Sequence, residues 1–267
     1  MQLLSKLMAT SLTTRLVFVC LFAVFANQSV YSKTQTVKIL VLGDSISAEY
    51  GLKRGTGWVA LLESRMAESV NWNEKPKAGS KGPQNAIDNI APQAINTPAT
   101  GQNGIKILPN FNIINASISG ETTAGGRARL AALLARHKPS HVIIELGAND
   151  ALRGLPVAAA QNNLNAMTQM ALQSGAKVLI VGMQIPPNYG QDYTQQFSAV
   201  FGNVVKANQN AKPKSKHAVA LVPFMLKGVA DSPEYLKLFQ ADRIHPTEAA
   251  QMQILNNVWV VLLKQLN

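Results

Sequence analysis

The chain is short of the residues that several kinds of chemistry require. One cysteine in 267 residues excludes a disulfide framework within the chain and any multi-cysteine zinc or iron–sulfur site. No Gly-x-x-x-x-Gly-Lys-[Ser/Thr] phosphate loop, no His-Glu-x-x-His metal helix and no internal repeat occurs. Charged residues make up 15% of the chain, against roughly 25% in an average globular protein. The apolar share of 47% is ordinary, so a chain disordered throughout is excluded. Acids are scarcer than bases, 14 against 25, which gives a formal charge of +11. That sign permits contact with an anionic membrane surface or with nucleic acid, but it does not specify a fold. Nucleic acid is not expected, because the lysine clusters Lys75/Lys77/Lys81 and Lys212/Lys214/Lys216 lack interleaved aromatics and match no recognition motif.

What is present at the N-terminus is an address. Lys6 and Arg15 precede an apolar run at residues 16–26, and polar residues 27–32 follow. This charged, apolar, polar order is that of a secretory signal peptide. The eleven residues of the run fall short of the roughly 20 that span a bilayer. Residues 1–32 are therefore predicted to be a signal peptide and 33–267 the mature domain, periplasmic or secreted. Cleavage after Ala26 and cleavage after Ser32 both fit. Cys20 lies inside the run, without the small residues that precede a lipid-modified cysteine, and would leave with the signal.

Beyond residue 35 the hydrophobic period alternates. Short apolar runs at 37–42, 111–115, 142–146, 178–184 and 219–224 read as buried strands. Between them, apolar residues three and four apart at 58–66, 129–134, 158–172, 197–205 and 249–266 read as helices, with Pro139, Gly175 and Pro213 as stops. The fold class is thus α/β, an open and mostly parallel sheet covered on both faces, whose working groups gather at the carboxyl ends of the strands. Residues 71–110 break the pattern. Pro76, Pro83, Pro92, Pro98 and Pro109, with glycines, Asn and Gln, read as a long surface insertion, either a poorly ordered loop or a lid or docking arm.

The first strand ends in Gly43-Asp44-Ser45, where a serine can expose its hydroxyl and lend its own N–H to an anion, or can merely cap a helix. Serine needs a base to be a nucleophile, and imidazole is the suitable one. Asp242-Arg243-Ile244-His245-Pro246 supplies a histidine with an acid three residues before it, placed to fix its tautomer. Asp231 is a second, more distant acid. His137, His141 and His217 are expected at helix ends or in solvent. Acyl transfer also needs donors for a tetrahedral oxyanion. The Gly120 N–H and the Asn149 amide, at the next two strand ends, would face the same crevice as Ser45, although each read alone is a turn glycine and a helix N-cap. Asp44 and Asp150 read as backbone-capping groups. Glu145, inside an apolar strand, must be hydrogen-bonded or displaced to the exposed end.

Gly-Asp-Ser, the glycine of Ile-Ser-Gly-Glu-Thr, the asparagine of Gly-Ala-Asn-Asp and the Asp-x-x-His before the last helix together resemble the four blocks of the SGNH (GDSL-type) hydrolases, over residues 37–70 and 111 to about 265. The resemblance implies a flavodoxin-like three-layer α/β/α sandwich with a five-stranded sheet and an open cleft, no metal or organic cofactor, and, as in several members, a monomer. It implies Ser45 as nucleophile, His245 as base and then acid, Asp242 as its partner, and an oxyanion hole from Ser45, Gly120 and Asn149. The loop Asp150, Ala151, Leu152, Arg153, Gly154, Leu155 and Pro156 would shape an acyl-binding groove. The expected activity is hydrolysis of acyl esters and thioesters such as lysophospholipids, aryl esters and acyl-CoA. A carbohydrate O-acetyl esterase and a non-catalytic envelope-binding protein are the rival readings.

Overall fold

Unbroken runs of Ile, Leu and Val become strands buried on both faces, because a parallel sheet clad in helices gives neither face to water. The computed structural model describes residues 36–71, 110–209 and 218–266. The predicted signal peptide, residues 72–109 of the insertion, Pro213 and His217 lie outside the described residues. Strands β1 (Val37–Gly43), β2 (Phe111–Asn115), β3 (His141–Glu145), β4 (Lys177–Val181) and β5 (Val219–Val222) form one parallel sheet in the order β2-β1-β3-β4-β5. Ile39 to Leu42 of β1 and Val142 to Ile144 of β3 are fully buried. Each such side chain contributes about 1.5–3 kcal/mol of transfer free energy.

Helices α1 (Trp58–Asn71), α2 (Thr123–His137), α3 (Ala148–Leu152), α4 (Val157–Gln173), α5 (Gln191–Gln209), α6 (Tyr235–Leu238) and α7 (Gln251–Leu266) complete the described chain, with single 3₁₀ turns at Pro187–Tyr189 and Glu248–Ala250. α1 packs against α7 on one face of the sheet, while α2, α4 and α5 pack side by side on the other. This is the three-layer sandwich expected. The regular helices extend beyond the apolar periodicity because their first and last turns carry polar residues. α2, for example, begins on Thr122, whose side chain accepts the Gly125 N–H, and ends on Lys138 in the left-handed region just before Pro139. Neither α3 nor α6 is foreshadowed in the sequence, since a single turn is too short to show a period.

One expectation is corrected. His141 begins β3 and is only 7% exposed. Its ring lies between Ser140 Oγ at 3.0 Å and the Gln265 carbonyl at 3.4 Å. Burial, which disfavours the charged imidazole, lowers it from 6.5 to about 4. The strand starts one residue earlier than its apolar run, and that shift draws the histidine in. His137, by contrast, ends α2 as expected.

In the strand order 2-1-3-4-5 the chain changes direction between β1 and β3, so a crevice opens beyond their carboxyl ends. β1 delivers Asp44 and Ser45 there, and β3 delivers Asn149 two residues past Gly147. The described residues include no helix long and apolar enough to cross a membrane.

Candidate active site

The register sets the floor of the site. Gly43 pairs with Glu145 across β1 and β3, and a methyl group at position 43 would sit 2.7 Å from both Glu145 Oε2 and Ser47 Oγ. Only glycine lets the carboxyl pass beneath the turn that follows. Glu145 Oε2 accepts from Ser47 Oγ at 2.7 Å and from the Asp44 N–H at 3.2 Å, and Ser47 Oγ in turn accepts the Trp58 indole N–H at 3.1 Å. Asn115, at the end of β2, donates to the Ser47 carbonyl at 2.7 Å. Glu145 is therefore held inside, hydrogen-bonded through Oε2, and is not displaced to the exposed end. Burial, and next the neighbouring Asp44 charge, raise its carboxyl well above the usual range. Burial also raises Asp44, from 3.8 to about 6, against donors at Ile46 and Asn149 and the nearby His245. Two facing carboxyls in one dry site cannot both ionise readily, so each is pushed towards its protonated form.

Asp44 uses both oxygens. Oδ1 accepts the Ile46 N–H at 3.0 Å, closing the turn around Ser45, and Oδ2 accepts from Asn149 Nδ2 at 3.1 Å. The capping reading is right for the first bond and omits the second.

Across the crevice, the segment between α6 and the final turn brings His245 over Ser45. The distances are 2.9 Å from Nε2 to Ser45 Oγ and 2.7 Å from Nδ1 to Asp242 Oδ2. Asp242 Oδ1 also accepts the N–H groups of Ile244 at 2.9 Å and His245 at 3.0 Å. Burial opposes the ionised form of Asp242, but these two N–H groups and the imidazole outweigh it and bring the carboxyl down to about 2. With Asp242 accepting at Nδ1–H, Nε2 is the free acceptor that a serine hydroxyl needs. Tyr50 stacks on the same imidazole at 4.4 Å between centroids, tilted by 41°. Asp231 is elsewhere, paired with Lys227 and the Gly228 N–H.

Gly120 takes φ +79° in the turn after β2, a conformation that glycine adopts without strain, and its carbonyl accepts from Arg153 at 2.9 Å. Asn149 is the second residue of α3, not its N-cap, which is Gly147 at φ +122°. Its amide donates to Asp44 Oδ2 and to the Glu121 carbonyl, both at 3.1 Å. The amide thus ties the Ser45 turn to the Gly120 turn.

Comparison with known proteins fits this geometry. Residues 98–252 match the GDSL-like lipase/acylhydrolase family model, a span that begins after Ser45 and includes Gly120, Asn149, Asp242 and His245. The chain belongs to the GDSL-like lipase/acylhydrolase family. It is 41% identical to esterase TesA of Pseudomonas aeruginosa over 91% of this chain and 94% of that protein. It is 30% identical to thioesterase 1/protease 1/lysophospholipase L1 of Escherichia coli K12, over 80% of this chain and 77% of that one. A crystal structure of TesA superposes with a TM-score of 0.65 at 42% identity, covering 86% of this chain and 99% of the other.

Within this acylhydrolase fold, the 150–156 loop divides in two. Asp150 and Ala151 turn inward, at 3% and 1% exposure, so the groove expectation is corrected for these two residues. The Asp150 carboxylate accepts the Thr123 N–H at 2.8 Å and its hydroxyl at 2.5 Å, pinning α2 to α3. Arg153 to Pro156 are exposed and Leu152 is half-buried. Sequence reasoning missed Tyr50, Ser47, Trp58 and Gln240. Gln240 Nε2 donates to the Tyr50 carbonyl at 2.9 Å and the Pro246 carbonyl at 3.1 Å. The one available signal was the acid at the end of Val142-Ile143-Ile144-Glu145, which demands buried partners.

Proposed function

We propose that this acylhydrolase is an exported serine esterase and thioesterase that works through an acyl-enzyme on Ser45. The observation that carries the reading is the continuous chain Ser45 Oγ, His245, Asp242, at 2.9 and 2.7 Å. His245 Nε2 takes the hydroxyl proton as Ser45 attacks the acyl carbon, and Asp242 stabilises the imidazolium that forms. The oxyanion is received by the N–H groups of Ser45 and Gly120 and by the Asn149 amide, which gives up its bond to the Glu121 carbonyl to do so. His245 then protonates the leaving alcohol or thiol, and water, activated by the same imidazole, releases the acid.

Acyl-CoA, aryl esters and lysophospholipids are the proposed substrates; the names esterase and thioesterase 1/lysophospholipase L1 of the two relatives support esters, thioesters and lysophospholipids as classes. The exposed Leu155, with the half-buried Leu152, offers an apolar wall to an acyl chain. Tyr50, Ile118, Leu155, Tyr189 and Ile244 are large, exposed and apolar, and they lie on loops at the catalytic end of the sheet. That supports contact with a membrane surface during lipid hydrolysis. The charged, apolar and polar order of residues 1–32 supports periplasmic or secreted placement, and residues 33–267 would form one domain with an insertion near 71–110.

Ser45→Ala tests the assignment. Hydrolysis of p-nitrophenyl esters and labelling by a fluorophosphonate should both vanish in a protein whose circular dichroism is unchanged. Retained turnover in that variant would overturn the reading. A series of acetyl to long-chain esters then defines the substrate, and preference for acetylated sugars would defeat the lipid assignment.

A further inference from the structure

Asp44 is a buried carboxylate to which the Ser-His-Asp chemistry assigns no task. It is 1% exposed, yet each of its oxygens serves a different part of the site. Oδ1 closes the turn that carries Ser45 through the Ile46 N–H at 3.0 Å. Oδ2 holds Asn149 Nδ2 at 3.1 Å. Its own N–H is fixed from behind by Glu145 Oε2 at 3.2 Å, and Glu145 is fixed by Ser47, which Trp58 holds. A side-chain amide has two protons. Here one goes to Asp44 and the other to the Glu121 carbonyl.

We propose that Asp44 is a positioning residue for the oxyanion donor: it anchors one N–H of the Asn149 amide relative to Ser45, so that the other N–H is the one that hydrogen-bonds the developing oxyanion. The inference rests on the reading of Ser45 as nucleophile and Asn149 as donor. An oxyanion gains most from donors already aimed at it, because reorienting them during the reaction would consume their benefit. Glu121 stands in the loop that also holds Gly120, so its carbonyl is an acceptor that substrate can displace. Asp44, walled in by the sheet and by Glu145, is not. When Asp44 is ionised, its bond to the amide is charge-assisted, and such a bond holds an amide more tightly than a neutral one.

The test is a double-mutant cycle on the full-length enzyme, reading kcat and KM for p-nitrophenyl butyrate. Asp44→Ser keeps a short acceptor for the Ile46 N–H, as serine does in such turns, but cannot reach Asn149. Asp44→Asn is the isosteric companion, and it sets an amide donor against the Asn149 donor. Asn149→Ala alone should lower kcat by about 10²–10³. Asp44→Ser should lower kcat about tenfold or more with KM changed by less than about twofold, the pattern of a lost transition-state contact. In the Asn149→Ala background the same substitution should change kcat by less than about twofold. Multiplicative losses in the double variant would overturn the proposal, as would a rise in KM that accounts for the whole effect of Asp44→Ser. If Asp44→Ser does not fold, Asp44→Asn carries the cycle with the same criteria. If Asn149→Ala itself leaves kcat unchanged, the donor assignment falls, and the inference falls with it for that separate reason.

Discussion

The two sides of the crevice hold the proposed catalytic groups by opposite means. Ser45 is positioned from inside: β1 and β3 meet at Gly43 and Glu145, and a chain of bonds runs from the Trp58 indole through Ser47, Glu145 and Asp44 to the Ser45 turn. His245 is positioned from within its own tetrapeptide. Asp242 receives the imidazole and two backbone N–H groups from residues 244 and 245, and Arg243 accepts φ +58° to let the chain turn that tightly. The electrostatics follow. Burial lifts Asp44 to about 6, whereas Asp242, with a side chain 37% exposed, is brought to about 2 by its donors. Ser45 is thus tied to the core and global stability, and His245 to local geometry.

Asp242→Asn should break the contrast most sharply. The change removes the charge that fixes the imidazole tautomer, and kcat should fall on the order of 10⁴. Because the bonds lost are local and half in solvent, the melting temperature should move by less than about 3 °C; ester turnover and calorimetry read the two together. A large drop in melting temperature would mean that the His245 segment is coupled to the core after all. Glu145→Ala should do the reverse. It strands the Ser47 hydroxyl and the Asp44 N–H in a dry site and leaves a void, costing about 3 kcal/mol in urea unfolding. Glu145→Gln, which keeps volume and an acceptor, should recover more than half of that loss.

This division also explains what the sequence disclosed. The placement of Gly43, Ser45, Gly120, Asn149, Asp242 and His245 around one crevice was legible because each sits at a strand end or a fixed spacing, and because the apolar runs of β1 and β3 locate those ends; their roles belong to the proposed function. Glu145 announced itself as a charge in an apolar run but not its partners, since Ser47 and Trp58 reach it only through folding. Asp150 read both as a backbone cap and as part of a groove loop; it does accept a backbone N–H, that of Thr123, and with the Thr123 hydroxyl it tethers α2 to α3. Tyr50 and Gln240 carry no pattern at all, because their roles arise from two loops meeting more than 180 residues apart.

The buried side should also impose a pH dependence that His141 conceals. Asp44 and Glu145 titrate above their unfolded values, so the folded state holds protons that the unfolded chain has released; through Asp44 stability falls as pH rises from about 4 through 6, and Glu145 adds a fall of the same sign above its unfolded value. His141, lowered from 6.5 to about 4, acts with the opposite sign: the unfolded chain holds the proton there, and stability rises over the same interval. His141→Gln removes the second contribution alone. Relative to the parent, the variant should gain on the order of 2 kcal/mol as pH is lowered from 7 to 4, measured by urea unfolding at each pH. A constant difference between the two proteins would show that His141 does not stay neutral in the folded state.

Gln240→Ala addresses the seam between the two sides and should have the smallest effect of the four. Its amide donates to the Tyr50 carbonyl on the loop that follows Ser45 and to the Pro246 carbonyl beside His245, at 2.9 and 3.1 Å. Its backbone N–H meets the His245 carbonyl at 2.8 Å and survives the substitution. Two partly exposed bonds contribute about 1 kcal/mol to stability. Their kinetic consequence should be larger than that share suggests, because they fix the distance between Ser45 Oγ and His245 Nε2, and small misplacements of reacting groups are costly. A roughly tenfold loss of kcat with KM nearly unchanged is expected. If kcat is instead untouched, each side must find the other without this tie, and the Tyr50 ring against His245 becomes the contact that aligns them.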